Sequence, residues 1–85
     1  MNGNSDMEVE TLIQVSKGRN MRIVKIEGGK SFQEKAESLG LRVGVQVKKL
    51  STQVMNGPVT IQIGSSKVAL GRGMAKKILV ESDEK

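Results

Sequence analysis

Ser31-Phe32-Gln33-Glu34-Lys35-Ala36-Glu37-Ser38-Leu39-Gly40-Leu41-Arg42-Val43-Gly44-Val45-Gln46-Val47 decides the fold. Its first nine residues read as a helix. Ser31 followed three residues on by Glu34 has the form of a capping box. Phe32, Ala36 and Leu39 fall at i, i+4 and i+7 and share one face. Gly40 supplies the left-handed residue that ends a helix at low cost. Nine residues cannot hold a helix in water by propensity alone, so this one must dock on something. From Val43 the period changes to two: Val43, Val45 and Val47 alternate with Gly44, Gln46 and Lys48, which is the pattern of a half-buried strand.

Outward from that stretch the chain reads as strands broken by glycine. Upstream, Met21–Glu27 (MRIVKIE) is rich in β-branched residues and carries apolar side chains on both faces, as a curved or bulged strand does. Gly28-Gly29 stops it. Thr11–Val15 reads either as a helical turn or as an edge strand. Downstream, Asn56-Gly57 is a hairpin-turn dipeptide, and Pro58 stands at a strand start where its missing N–H does least harm. Val59, Ile61 and Ile63 alternate with Thr60, Gln62 and Gly64. Val68-Ala69-Leu70 and Ile78–Val80 give two more strands, with a helical turn allowed at Gly71–Ala75. The expectation is a mainly β fold: a small, partly open, five-stranded barrel with one short inserted α-helix, since curling a sheet hides its edges. The expected inward set is Val24, Ile26, Phe32, Leu39, Leu41, Val45, Val47, Ile61, Ile63, Val68, Leu70, Ile78 and Val80. Residues 1–9 read as a disordered tail, 10–81 as the domain and 82–85 as a frayed end.

Composition narrows the function classes. The 85 residues make one domain with a small core. Cysteine, histidine, tryptophan and tyrosine are all absent. Without histidine or cysteine there is no thiolate nucleophile and no assembled acid–base set, so the chain is not expected to be an enzyme. Oxygen ligands alone remain for a metal, and the one acidic pair at helical spacing, Glu34 and Glu37, is the ordinary pattern of a solvated helix face. No metal site and no cofactor are expected. No run is apolar enough for a membrane span or a signal peptide, which makes the cytoplasm the expected location.

Charge points to a partner. The net charge is +5, but thirteen of the fourteen basic residues and only Glu27, Glu34 and Glu37 among the acids lie between Thr11 and Val80, leaving that body at +10. Such a body attracts anions: nucleic acid, an acidic protein face or lipid headgroups. Phosphate loops are excluded, since Gly40–Gly44 follows a helix and opens a strand, the reverse of the order such a loop needs. Nucleic acid is the rival reading. It is weakened by the lack of free aromatic side chains on which bases stack, because Phe32 is assigned to the core.

The order and spacing of motifs carry a resemblance. Leu39-Gly40-Leu41-Arg42-Val43-Gly44 resembles the "LGL-x-x-G" helix exit of the FeoA family of bacterial ferrous iron transport. Val68-Ala69-Leu70, Ala75 and Ile78-Leu79-Val80 resemble that family's C-terminal "aL…A…I-x-V" pattern, and Thr11-Leu12 with Gly18 its opening "sL…G". The likeness runs from about residue 10 to 81. It implies an SH3-like barrel, a fold shared with the C-terminal domain of DtxR-like metal-dependent repressors. It also implies a cytoplasmic accessory that docks on the GTPase part of the FeoB membrane transporter. The alternative is a small basic barrel that binds nucleic acid, and self-association stays open. The expected partner-binding residues are the exposed basics Arg42, Lys48 and Arg72.

Overall fold

The computed structural model describes residues 9–52 and 57–83. They form six antiparallel strands and two short helices: β1 (Val9–Thr11), β2 (Asn20–Ile26), α1 (Lys30–Ser38), β3 (Gln46–Thr52), β4 (Val59–Ile63), β5 (Ser66–Leu70), α2 (Arg72–Ala75) and β6 (Ile78–Ser82). All strands belong to one sheet with the order β1-β6-β2-β3-β4-β5. The mainly β reading holds. The strand count is six, not five, because Val9–Thr11 pairs with β6. The sheet is open, with β1 and β5 as its two edges.

Two bulges curl this sheet. In β2 the register runs Ile23↔Val80 and then Lys25↔Leu79, leaving Val24 unpaired. Met21 and Ile23 are fully buried before the bulge, and Ile26 is half-buried after it. A residue inserted at Val24 shifts the alternation by one. That is why the strand looks apolar on both faces in sequence. It also corrects the inward set, where Val24 gives its place to Ile23. A second skip, between Lys49↔Ile61 and Ser51↔Thr60, makes Leu50 the bulged residue of β3.

The α1 exit follows the sequence closely and its entry does not. Gly40 has φ +92°, its N–H donates to the Glu37 carbonyl at 2.9 Å, and the Leu41 N–H donates to the Ala36 carbonyl at 2.9 Å. That pair of bonds is a Schellman motif, and Leu41 and Ala36 bury together in the core. The turn draws Leu41 inward and leaves Leu39, expected inside, 37 % exposed. At the entry Gly29 is the N-cap and makes no side-chain cap, while Ser31 lies within the helix, so the capping box does not form. Gln33 anchors the entry instead, its Nε2 donating to the Ile26 carbonyl at 2.6 Å and the Gly28 carbonyl at 3.2 Å.

Thr11–Val15 is resolved as a strand end and then a turn. The Gln14 and Val15 N–H groups both donate to the Thr11 carbonyl, at 3.0 and 3.2 Å. Leu12 and Val15 point from this turn into the core, where sequence periodicity had not placed them. Their anchor is Lys49. Strand alternation turns Lys49 inward beside Val47, and only 6 % of it is exposed. Its Nζ donates to the carbonyls of Ile13 at 3.0 Å and Val15 at 2.9 Å, and the Gly18 N–H returns a 2.7 Å bond to the Lys49 carbonyl. Burial, and after it the nearby Arg72 guanidinium, hold the Lys49 ammonium below its ordinary pKa of 10.5.

The chain ends are more structured than expected. Val9 pairs with Glu81, β6 runs to Ser82, and the Asp83 N–H donates to the Asn20 carbonyl at 2.9 Å. The remaining tail residues and Asn56 of the expected hairpin turn lie outside the described residues.

Gly28 has φ +124°, and a Cβ there would stand 2.9 Å from Phe32 Cδ2. Gly28→Ala therefore loses about 1–3 kcal/mol, read as a lower urea midpoint at unchanged slope. Lys49→Met leaves the Ile13 and Val15 carbonyls without their donor and costs about 1–3 kcal/mol at neutral pH. Because the folded pKa of Lys49 is depressed, the desolvation penalty is fully present below it and is relieved as pH rises toward 10.5. The stability gap between wild type and Lys49→Met should thus widen in that window; a gap that narrows there refutes the assignment.

Candidate docking surfaces

Among the described residues, two surface clefts differ in chemistry. The first, about 280 Å³, lies at the α1 exit and is lined by Ile26, Gln33, Glu37, Leu41, Arg42 and Val43. Val43 is 63 % exposed because β3 begins only at Gln46, so its side chain extends the apolar side of this cleft into solvent. Arg42 Nε stands 3.8 Å from Glu37 Oε2, with both side chains mostly exposed. A pair this open contributes little to stability. Glu37 thus faces a cation of its own chain. Among the described residues no three His, Cys, Asp or Glu side chains gather as a metal cluster.

The second cleft, about 210 Å³, is polar. It lies on the outer face of β2, β3 and β4 and is lined by Asn20, Gln46, Val47, Lys48, Gln62 and Gly64. Strand parity puts Gln46 and Lys48 outward wherever Val47 and Lys49 point inward. Asn20 opposes Lys48, and Lys48 opposes Gln62. On the β6 side Asp83 closes the face as a clamp: one carboxylate oxygen pairs with Arg22 and the other accepts a hydrogen bond from Gln46 Nε2 at 2.8 Å.

The three basics expected to bind a partner do not converge. Arg42 belongs to the α1-exit cleft and Lys48 to the sheet-face groove, and the two clefts share no lining residue. Arg72 opens α2, half-buried, where its charge acts on Lys49. Lys77, another basic residue of the body, lies over the Phe32 ring, with Nζ 4.9 Å from the centroid. Sequence reasoning missed Gln46, Gln62 and the Asp83 clamp. The two-residue period carried the signal for the glutamines. Nothing local signals Asp83, which reaches back to β2 and β3 only once the sheet is assembled.

Comparison with known proteins places this architecture. The family model described as "FeoA domain" matches residues 10–82, nearly every described residue. The chain belongs to the FeoA family. It is 37 % identical over 67 residues to a protein of Methanocaldococcus jannaschii given the name Fe(2+) transport protein A, covering 79 % of each chain. Among solved structures, a crystal structure of an iron uptake regulatory protein, FeoA, superposes with a TM-score of 0.79 at 29 % identity, over 88 % of this chain and 97 % of that one. An FeoA-like protein of Clostridium acetobutylicum gives 0.80 at 19 % identity, over 93 % and 92 %. The manganese-activated repressor ScaR gives 0.79 at 18 %, this chain matching 35 % of its length. At those two identities the likeness is one of fold. It bears out the relation of the FeoA barrel to a domain of metal-dependent repressors.

Arg42→Ala tests how little the α1-exit ion pair holds. The substitution should leave the denaturation midpoint within about 0.5 kcal/mol of wild type, as for exposed pairs generally.

Proposed function

We propose that this chain is a non-enzymatic accessory of ferrous iron transport that docks on the cytoplasmic GTPase part of an FeoB-type transporter and modulates uptake. The observation that carries this reading is the match of the FeoA model to residues 10–82. The relative given the name Fe(2+) transport protein A supports the same process. A domain of this kind acts by surface complementarity, and a basic body with two open clefts is suited to an acidic protein face. Among the described residues no helix is long and apolar enough to cross a membrane. In this reading the chain works beside the transporter from the cytoplasm.

Calorimetric titration into the soluble cytoplasmic domain of the cognate transporter should give saturable binding in the range of about 1–100 μM at roughly 150 mM salt. Deleting the chain should also change ferrous iron uptake by cells that carry the transporter. No complex at about 100 μM, together with uptake unchanged by deletion, would sink the proposal.

A further inference from the structure

Most basic side chains near the two clefts are already engaged. Arg22 is taken by Asp83, Arg42 faces Glu37, Lys49 is held by two carbonyls and Lys77 covers Phe32. Lys48 differs. It is half-buried in the polar groove, and no carboxylate among the described residues pairs with it. The register extends its row: Asn20, Lys48, Gln62 and Lys67 lie side by side across β2, β3, β4 and β5. With strands about 4.8 Å apart, the backbone positions of two cationic residues stand roughly 10 Å from each other with an amide residue between them.

The glutamines are held in fixed orientation. Gln62 Nε2 donates to the Gly64 carbonyl at 3.0 Å, and Gln46 Nε2 donates to Asp83 Oδ2 at 2.8 Å. Among the described residues neither Oε1 accepts a hydrogen bond, so the groove presents two positioned acceptors beside a cation without a counter-ion. Glu81, the remaining acid here, stands opposite Arg22 on the β6 side, in the row next to that of Lys48.

We propose that this row, together with Gln46 beside it in the groove, is the docking surface for an extended acidic segment of a protein partner. The Lys48 and Lys67 ammonium groups take its carboxylates, and the Gln46 and Gln62 carbonyl oxygens take its backbone N–H groups. A nucleic-acid backbone fits less well. Its phosphodiesters have no N–H for those oxygens, and no aromatic side chain lies in the row for a base to stack on. This inference deepens the docking function proposed above by naming its surface and the partner's chemistry.

The test uses the full chain, isotope-labelled, and a synthetic peptide of alternating glutamate and alanine. Amide shifts should move at Lys48, Gln62 and Lys67. Lys48→Glu should weaken peptide binding about tenfold, whereas Lys30→Glu, an equal charge change at the exposed start of α1, should weaken it less than about twofold. Gln62→Leu, which keeps the charge, should also weaken it. Thermal melts of each variant confirm folding, and the wild-type shift map stands whether or not a variant folds. Equal losses from Lys48→Glu and Lys30→Glu, or shifts mapping to α1, would overturn the proposal. So would an oligothymidylate that moves the same amides and displaces the peptide. The transporter's cytoplasmic domain separates the two readings. If it binds wild type and Lys48→Glu equally, docking stands and this surface falls. If it fails to bind while the peptide result holds, the surface stands and the iron-transport partner falls.

Discussion

The buried ammonium of Lys49 is the contact on which the rest of the molecule depends. An open sheet of short strands leaves its concave side exposed at the ends, and a chain this small has few side chains with which to cover it. Here the covering is done by the turn after β1, which carries Leu12 and Val15 inward. A turn has carbonyls that no sheet partner can reach, and burying them bare would offset much of what the two side chains contribute. Lys49 supplies the missing donors from β3. One cation thereby ties the first strand to the middle of the sheet across 34 to 36 residues of sequence. The depressed pKa is the cost of that arrangement, and it is tolerable because two carbonyls accept hydrogen bonds from the group.

The same logic sorts the surface. The body carries a large positive charge, but the fold uses much of it internally. Arg22 fastens the C-terminal segment through Asp83, Lys77 shields the one aromatic ring, and Arg42 is matched by Glu37. What remains for a partner is therefore smaller and more directional than the net charge suggests. The polar groove keeps a cation and two oriented amides. The α1-exit cleft keeps an exposed valine above an ion pair. The first suits an acidic segment, and the second offers apolar contact area.

Much of the fold was legible because it rests on local rules. The strand at Met21–Glu27, with apolar residues on both faces, announced its bulge, and Leu39-Gly40-Leu41 announced a helix stop. The capping box at Ser31 misled, since the helix begins one residue earlier and Gln33 makes the anchoring bonds instead. Leu39 misled in the same way, because a helical period carried past the last helical residue assigns an inward place that the Schellman turn gives to Leu41. Of the basics singled out, Lys48 was placed on the outer face by strand parity, but nothing in the sequence separated it from Arg42 or Arg72.

By itself the sequence determined the mainly β class, the single inserted helix of useful length, the basic body and the family, because periodicity, glycine punctuation and composition are properties of neighbours along the chain. The tertiary structure alone decided that the sheet has six strands, that Lys49 reaches the Ile13 and Val15 carbonyls, and that Asp83 reaches back to Arg22 and Gln46. Those outcomes depend on register between strands distant in sequence. A one-residue bulge at Val24 or Leu50 is enough to change which side chains face the core, and no local pattern fixes which partner strand it will meet.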